Sequence, residues 1–135
     1  METKDKLITA EGLKAVYDTL NNKIPPVYST TEVDTGSTWI DGKPIYRACI
    51  STTTTLVNSI GDVATLPSNV DTPISFTGFA KLPSDSGWRP IPTAYHGSMN
   101  YNVLVYFKNN TISMGFGSAW SGTKTIIIIM EYTKQ

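Results

Sequence analysis

The sequence has few residues of the kinds that hold metals or form disulfides. Among its 135 residues it has one cysteine, Cys49, which excludes a disulfide within the chain and any zinc site that needs two thiolates. Its one histidine, His96, excludes a His-rich metal site within a single chain. We therefore expect neither a metal nor a cofactor.

An excess of charge of either sign is also missing, because eleven basic residues balance eleven acidic ones. A nucleic-acid binder needs a basic face to neutralise phosphates, so no nucleic-acid partner is expected. The longest apolar run, within Thr125–Met130, is far too short to cross a bilayer, and we expect no membrane insertion. The N-terminal residues METKDKLITA contain no apolar segment typical of a secretory signal.

Charged residues are unevenly distributed along the chain. Residues 48–122 take their polarity mainly from Ser, Thr and Asn, and threonine favours strands. The charged residues in that stretch are Asp62, Asp71, Lys81, Asp85, Arg89 and Lys108. This distribution predicts a short, charged helical segment followed by a β domain.

The helical segment has a clear start and stop. Thr9 can serve as the N-cap, Glu11 favours the positive end of the helix dipole, and Pro25-Pro26 ends the helix. Apolar residues follow at the alternating spacing of three and four that is typical of a coiled-coil seam: Ala10, Leu13, Tyr17, Leu20 and Ile24. Two interpretations stay open, namely self-association through this seam and packing on the chain's own β domain with Val16 included.

Strand signals begin after Pro26. Asp41-Gly42 between apolar runs predicts a first hairpin, with Pro44 at a strand start or edge, and Lys108–Asn110 predicts a second. Ile74, Phe76 and Gly78 alternate as in a half-buried strand. The predicted strands are 27–33 (ended by Gly36), 38–40, 45–50, 52–57, 73–80, 91–95, 101–107, 111–116 and 123–133, with loops around 61–62, 67–69, 82–90 and 117–122.

The last predicted strand offers branched apolar residues to both of its faces through Ile126–Ile129. A strand with one solvated face would alternate, so we expect this one to be buried on both sides. In a small domain with two sheets only one face meets the core. The other face must then meet another layer or another subunit, which favours oligomerisation.

Motifs of catalysis are missing from the sequence: there is no HExxH, no P-loop and no GxSxG. The acidic residues Asp62, Asp71 and Asp85 have the context of turns, and we expect no enzyme. A hydrolase that depends on His96 is kept as a third hypothesis.

Aromatic residues in or beside loops are the positive signal. Such rings, with Ser, Asn and Thr nearby, can stack on sugars, and the alternative interpretation is core closure or subunit contact. The candidate glycan-binding residues are Trp88, Tyr95, His96, Tyr101 and Trp120.

The segment Val33–Arg47 resembles one that recurs in bacteriophage tail-fibre, head-fibre and baseplate proteins. The matching residues are Gly36, Trp39, Ile40, Asp41, Gly42, Lys43, Pro44 and Tyr46, with one extra residue between Gly36 and Trp39. Met130–Lys134 is similar to the Tyr-Thr-Lys ending of those domains, and the preceding heptad helix fits their layout. The resemblance implies a β-sandwich-like domain that forms a homotrimer on a virion, and some of these domains bind host-surface molecules.

Together these expectations describe a mainly β, homotrimeric chain. A coiled-coil-like helical segment over 1–26 provides trimerisation and attachment to other virion proteins, and an antiparallel, jelly-roll-like β-sandwich occupies 27–135.

We expect a structural protein of the virion, made in the bacterial host cytoplasm. Because only residues 1–26 precede the β domain, we expect a short fibre or a capsid or baseplate decoration. It could contribute to host attachment, and the alternative function is a glycan-binding module. The expected trimer interface comprises Leu13, Tyr17, Leu20, Ile24, Ile126 and Ile128.

Overall fold

The computed structural model describes residues 9–23 and 28–135, and in these residues the chain is mainly β with antiparallel sheets and one helix. Two short 3-10 turns, Met99–Tyr101 and Ser118–Trp120, lie in the loops before β6 and β8. The elements are α1 (Ala10–Lys23), β1 (Val33–Thr38), β2 (Pro44–Thr54), β3 (Ile60–Thr65), β4 (Val70–Lys81), β5 (Arg89–Ile91), β6 (Val103–Lys108), β7 (Thr111–Phe116) and β8 (Lys124–Lys134).

Helix α1 starts as its sequence predicts. The Thr9 hydroxyl accepts a hydrogen bond from the Gly12 amide at 3.0 Å, which satisfies one of the free donors of the first turn. Glu11 lies in that turn, next to the positive end of the dipole. The side chain of Leu20 and all of Ile24, both predicted for the helical seam, lie outside the described residues, as does Pro25-Pro26.

The strands form a five-stranded sheet with the order β1-β2-β8-β4-β5 and a three-stranded sheet with the order β3-β7-β6. Every paired neighbour is antiparallel. The consecutive strands β2 and β3 lie in different sheets, and so do β7 and β8. Because β2 pairs with β8 and β3 with β7, the two segments pass from one sheet to the other side by side.

The core lies between the two sheets. Along β4 burial alternates, with Ile74, Phe76 and Gly78 more enclosed than their neighbours, so the predicted alternation is confirmed. The five-stranded sheet adds the fully buried side chains of β8, and the other sheet contributes those of β7. The core residues of these two strands are Ile112, Met114, Phe116, Ile126, Ile128, Met130 and Tyr132.

The last strand has two unequal faces, which corrects the predicted interface. Ile126 and Ile128 are completely buried by their own chain, because they point at the opposite sheet, and so cannot contact a second copy. Ile127 and Ile129 lie on the outer face and remain partly exposed. A single chain therefore leaves the outer face of this strand incompletely covered, as expected, but only at these two residues.

Both predicted hairpins are present. In the β1–β2 turn Gly42 has a positive φ of 85°, which glycine adopts at little cost, and its amide donates to the Trp39 carbonyl at 2.9 Å. Asn109 supplies the positive φ of 55° in the β6–β7 turn. Pro44 is the first residue of β2, where no ladder hydrogen bond needs its missing N–H.

Several strand boundaries differ from those predicted. The described residues before Val33 form no strand, and Gly36 lies within β1 at φ 79° rather than ending a strand. Strand β2 runs unbroken through Thr54, while β5 ends at Ile91 instead of starting there. Strand β3 occupies the loop predicted around Gly61-Asp62, because the Asp62 carboxylate accepts the Ser113 hydroxyl at 2.7 Å across the β3–β7 pair.

The edges of the five-stranded sheet are short or irregular. At one edge the pairing of β1 with β2 shifts register between Asp34 and Thr38. At the other edge β5 has three residues and includes Pro90. Strand β8 lies at the centre, with β2 on one side and β4 on the other.

Candidate functional site: an aromatic cleft beside Arg89

An open cleft of about 510 Å³ lies where the loop between β5 and β6 leaves the sheets. Arg89, Thr93, Tyr95 and Tyr101 line it. Thr93 and Val103 close the base of this loop with two backbone hydrogen bonds of 3.1 and 2.8 Å. The loop is therefore held at its neck while its aromatic side chains extend toward solvent.

Local hydrogen bonds position the tyrosines. The Asn102 side-chain oxygen accepts the Tyr95 amide at 2.7 Å, and the 3-10 turn that ends at Tyr101 folds the loop back on itself. Gly97 permits the resulting close approach, because a Cβ atom there would lie 2.7 Å from the Tyr95 ring. Gly117 does the same on the other side, where a Cβ would clash with the Asn100 carbonyl oxygen.

Two of the five predicted glycan-binding residues, Tyr95 and Tyr101, line this cleft, and a third, His96, lies beside Tyr95. The Tyr95 ring lies edge-on to Tyr101, with centroids 6.3 Å apart, and 5.9 Å from the His96 ring. Tyr95 is 52% exposed and Tyr101 41% exposed, so both rings can be reached from solvent. Their role in binding a glycan stays a prediction.

Trp120 does not belong to the accessible surface, and its assignment as a binding residue is wrong. It is almost completely buried, with its ring packed edge-on against Phe116 at 5.6 Å. Its indole N–H donates to the Tyr101 carbonyl at 3.0 Å. Trp120 supports the floor of the cleft from below, and a ligand cannot stack on it.

Trp88 lies in a different place. It is 43% exposed, and the Lys81 ammonium is 5.6 Å from the centre of its ring. Both side chains line a separate cleft of about 320 Å³, together with Leu82, Pro83 and Thr125. The structure therefore divides the aromatic residues grouped from the sequence between two clefts and the core.

Arg89 is the cleft residue that sequence reasoning missed. Its guanidinium lies 5.4 Å from the ring centroids of both Tyr101 and Trp120, which is within the range of cation–π attraction. Asp85 fixes it through an ion pair of 2.8 Å. A hydrogen bond from the Gly87 amide, with the charge of Arg89, holds the pKa of the Asp85 carboxyl below its usual value.

Lys124 is a fully buried lysine beneath the same region. Its ammonium donates to the carbonyls of Trp120 at 2.7 Å and Gly122 at 2.9 Å, and it lies 4.9 Å from the Phe116 ring. Burial lowers the pKa of this lysine. These hydrogen bonds tie the loop that carries Trp120 to the start of β8.

The predicted helical seam is exposed where it can be described. Leu13 is 58% exposed, Val16 53% and Tyr17 62%. Packing of α1 on its own β domain would cover these side chains, so the structure does not support that interpretation. Over residues 9–23 and 28–135, no helix has the length and apolar character needed to span a membrane.

Comparison of the chain with protein-family models, with curated proteins and with solved structures finds no match.

Proposed function

We propose that this chain is a non-enzymatic structural protein of a bacteriophage virion, in the form of a short homotrimeric fibre or a capsid or baseplate decoration. In this proposal α1 joins the copies to one another and to other virion proteins. The β domain is a jelly-roll-like sandwich, an inference supported by the side-by-side passage of β2–β3 and β7–β8 between the sheets.

The observation that carries the proposal is the exposed apolar stripe of α1, formed by Leu13, Val16 and Tyr17. A helix of this length is marginal alone in water and needs a partner for its apolar side. Burial of one such side chain contributes roughly 1.5–3 kcal/mol. Association costs about 4–15 kcal/mol, so the stripe needs a second contact area.

The outer face of the five-stranded sheet offers that area. Phe79 of β4 and Ile127 of β8 are direct partners in register, and each is 38% exposed. Ile129 and Cys49 are paired beside them and are half-buried. A neighbouring subunit on this face would cover the apolar row that a single chain leaves in contact with water.

The segment that carries the resemblance supports the same proposal. Residues 39–43 form the β1–β2 turn, and the side chain of Ile40 there is 90% exposed. Lys43 at its end pairs with Asp71 at 2.7 Å, which holds the turn against β4. A large apolar side chain at an ordered, exposed turn suits a contact with another protein.

Light scattering of the full chain tests the proposal, with an expected mass of three times 14.8 kDa. Leu13→Asp would place a charge in the stripe, and we expect the trimer to dissociate at micromolar concentration. Ala15→Asp introduces the same charge on the opposite side of α1 and should leave the trimer intact. A monomer for the unaltered chain, or equal effects of the two substitutions, would contradict the proposal.

A second candidate function is glycan binding at the aromatic cleft, favoured by the exposed rings of Tyr95 and Tyr101 beside Thr93. On a glycan array, Tyr95→Ala should abolish the binding of any glycan that the unaltered chain retains. Tyr106→Ala, which removes an exposed ring from the three-stranded sheet, should not. Absence of binding by the unaltered chain at high protein concentration would exclude this function.

A further inference from the structure

The aromatic cleft has at its wall a guanidinium whose hydrogen-bond donors are only partly used. Arg89 lines the cleft, and among the described residues its one hydrogen-bond acceptor is Asp85, which takes a single contact from Nη2. A guanidinium has five N–H donors in a planar fork. The remaining donors are therefore available to a ligand that enters the cleft beside Arg89.

The charged side chains near Arg89 include more basic than acidic groups. Lys81 lies close enough to Asp85 to stabilise its ionised form, and it forms no ion pair with the described residues. Lys81 and Arg89 thus face Asp85 alone, without counting buried Lys124. The other acidic residues described in the β domain have partners elsewhere: Glu32, Asp34, Asp41, Asp62, Asp71 and Glu131.

The position of Arg89 is fixed before any ligand binds. Asp85 holds one side of the guanidinium, and the rings of Tyr101 and Trp120 lie 5.4 Å from it. Asp85 is itself held by the Gly87 amide at 3.0 Å. A donor fork that is already ordered loses little conformational freedom on binding, and it matches the two oxygens of a carboxylate or phosphate.

We propose that the aromatic cleft binds an anionic saccharide, with Arg89 pairing to a carboxylate or phosphate group and with Tyr95 and Tyr101 contacting the sugar ring. This inference rests on glycan binding, the second candidate function, and it adds the chemical class of the ligand. The tyrosine hydroxyls supply hydrogen-bonding groups for sugar hydroxyls, and the Thr93 hydroxyl, which donates to the Pro90 carbonyl, can accept from one. A neutral sugar offers the free donors of Arg89 only hydroxyl oxygens, without the charged pair of oxygens that matches the guanidinium fork.

The test compares pairs of saccharides that share a sugar backbone and differ in their anionic group. The full chain is titrated with oligogalacturonate and with its methyl ester, and separately with phosphomannan and unphosphorylated mannan. We expect at least one charged member to bind about tenfold or more tightly than its neutral counterpart, with a difference that shrinks as salt is added. Preference for oligogalacturonate or for phosphomannan identifies the anionic group as a carboxylate or a phosphate.

Variants connect the preference to the cleft. Arg89→Gln should remove the difference between charged and neutral ligands, whereas Lys108→Gln, at the far end of β6, should preserve it. If Arg89→Gln fails to fold, Tyr101→Ala provides the test. It leaves the Trp120 hydrogen bond to the backbone carbonyl in place and should weaken the charged ligand about tenfold. An undiminished affinity in that variant would overturn the proposal.

The remaining outcomes separate the two hypotheses. Equal binding of charged and neutral members would overturn the anionic preference while supporting glycan binding. A lack of binding by all four saccharides would overturn the anionic inference here, and the glycan array described above decides independently whether the cleft binds any sugar.

Discussion

The apolar side chains of the helix and those of the two sheets differ in burial. In β8 the inward residues Ile126 and Ile128 are completely enclosed by their own chain. In α1 the apolar residues Leu13 and Tyr17 are mostly exposed. One part of the molecule therefore completes its core alone, and the other part leaves an apolar surface exposed.

This difference separates the side chains that stabilise the fold from those that do not. The β domain draws its stability from contacts within one chain, since both sheets contribute to one core. Substitutions there change the free energy of unfolding. Substitutions in the described part of α1 should change that free energy much less, because those side chains are exposed and add little to the core.

The largest expected effect comes from two neighbouring residues of β8. Ile128→Ala should lower the free energy of unfolding by about 2–5 kcal/mol, because it leaves a cavity between the sheets. Ile127→Ala, on the outer face, should lower it by less than about 1 kcal/mol. Urea unfolding at low protein concentration, followed by tryptophan fluorescence to which buried Trp120 contributes, measures both. Similar losses in the two variants would show that the two faces are equally buried.

A smaller effect is expected where the end of β8 meets the start of the β domain. The Glu32 carboxylate accepts the Tyr132 hydroxyl at 2.5 Å and pairs with Lys134 at 2.5 Å. Burial raises the pKa of Glu32, but the hydrogen bonds from Lys134 and Tyr132 and the charge of Lys134 outweigh it, so the pKa lies below its usual value. Burial and the same carboxylate raise the pKa of Tyr132.

A lowered carboxyl pKa stabilises the fold above the unfolded value and loses that contribution as the pH falls through the folded value. Glu32→Gln should therefore lower the free energy of unfolding by about 1–3 kcal/mol at pH 7. The gap to the unaltered chain should close as the pH drops below 4.5. Glu11→Gln, on exposed α1, serves as the control and should leave the pH dependence of unfolding unchanged.

The smallest effect on the β domain is expected from the helix cap. Thr9→Ala removes the hydroxyl that accepts the Gly12 amide and should cost α1 about 1 kcal/mol, seen as a weaker helical circular dichroism signal. The β domain should unfold within about 0.5 kcal/mol of its original free energy. Thr19→Ala, in the middle of the helix, should preserve or strengthen the helical signal. A matching loss of β-domain stability in Thr9→Ala would contradict the view that the β domain is stable independently of α1.

Much of the fold follows from local sequence. The Asp41-Gly42 and Asn109 turns, the Thr9 cap and the alternation along β4 each depend on a few adjacent residues. The predictions that differ from the structure concern residues whose partners are distant in the sequence. Asp62 lies in a strand because Ser113 bonds to it, and the last strand divides into two faces because the other sheet covers only one of them.

The cleft was predicted only in part for the same reason. Tyr95, His96 and Tyr101 lie within one short loop, so proximity in sequence was enough to group them. Trp120 joins the core because a separate loop folds beneath Tyr101. Arg89 is one of few charged residues in its part of the sequence and lies between Trp88 and Pro90, which could have marked it as a candidate. Its closeness to the rings of Tyr101 and Trp120 depends on the tertiary fold and is not visible in the sequence.

The blunt edges of the five-stranded sheet have a consequence for concentrated solutions. A run of four isoleucines is a hazard for cross-β fibril growth when its backbone is free to template another strand. Here that run lies in the central strand, and both margins of the sheet are interrupted, one near Gly36 and the other at Pro90. The five-stranded sheet, with its isoleucines at the centre, is therefore poorly built to have its hydrogen-bonded ladder extended by a second strand at either edge.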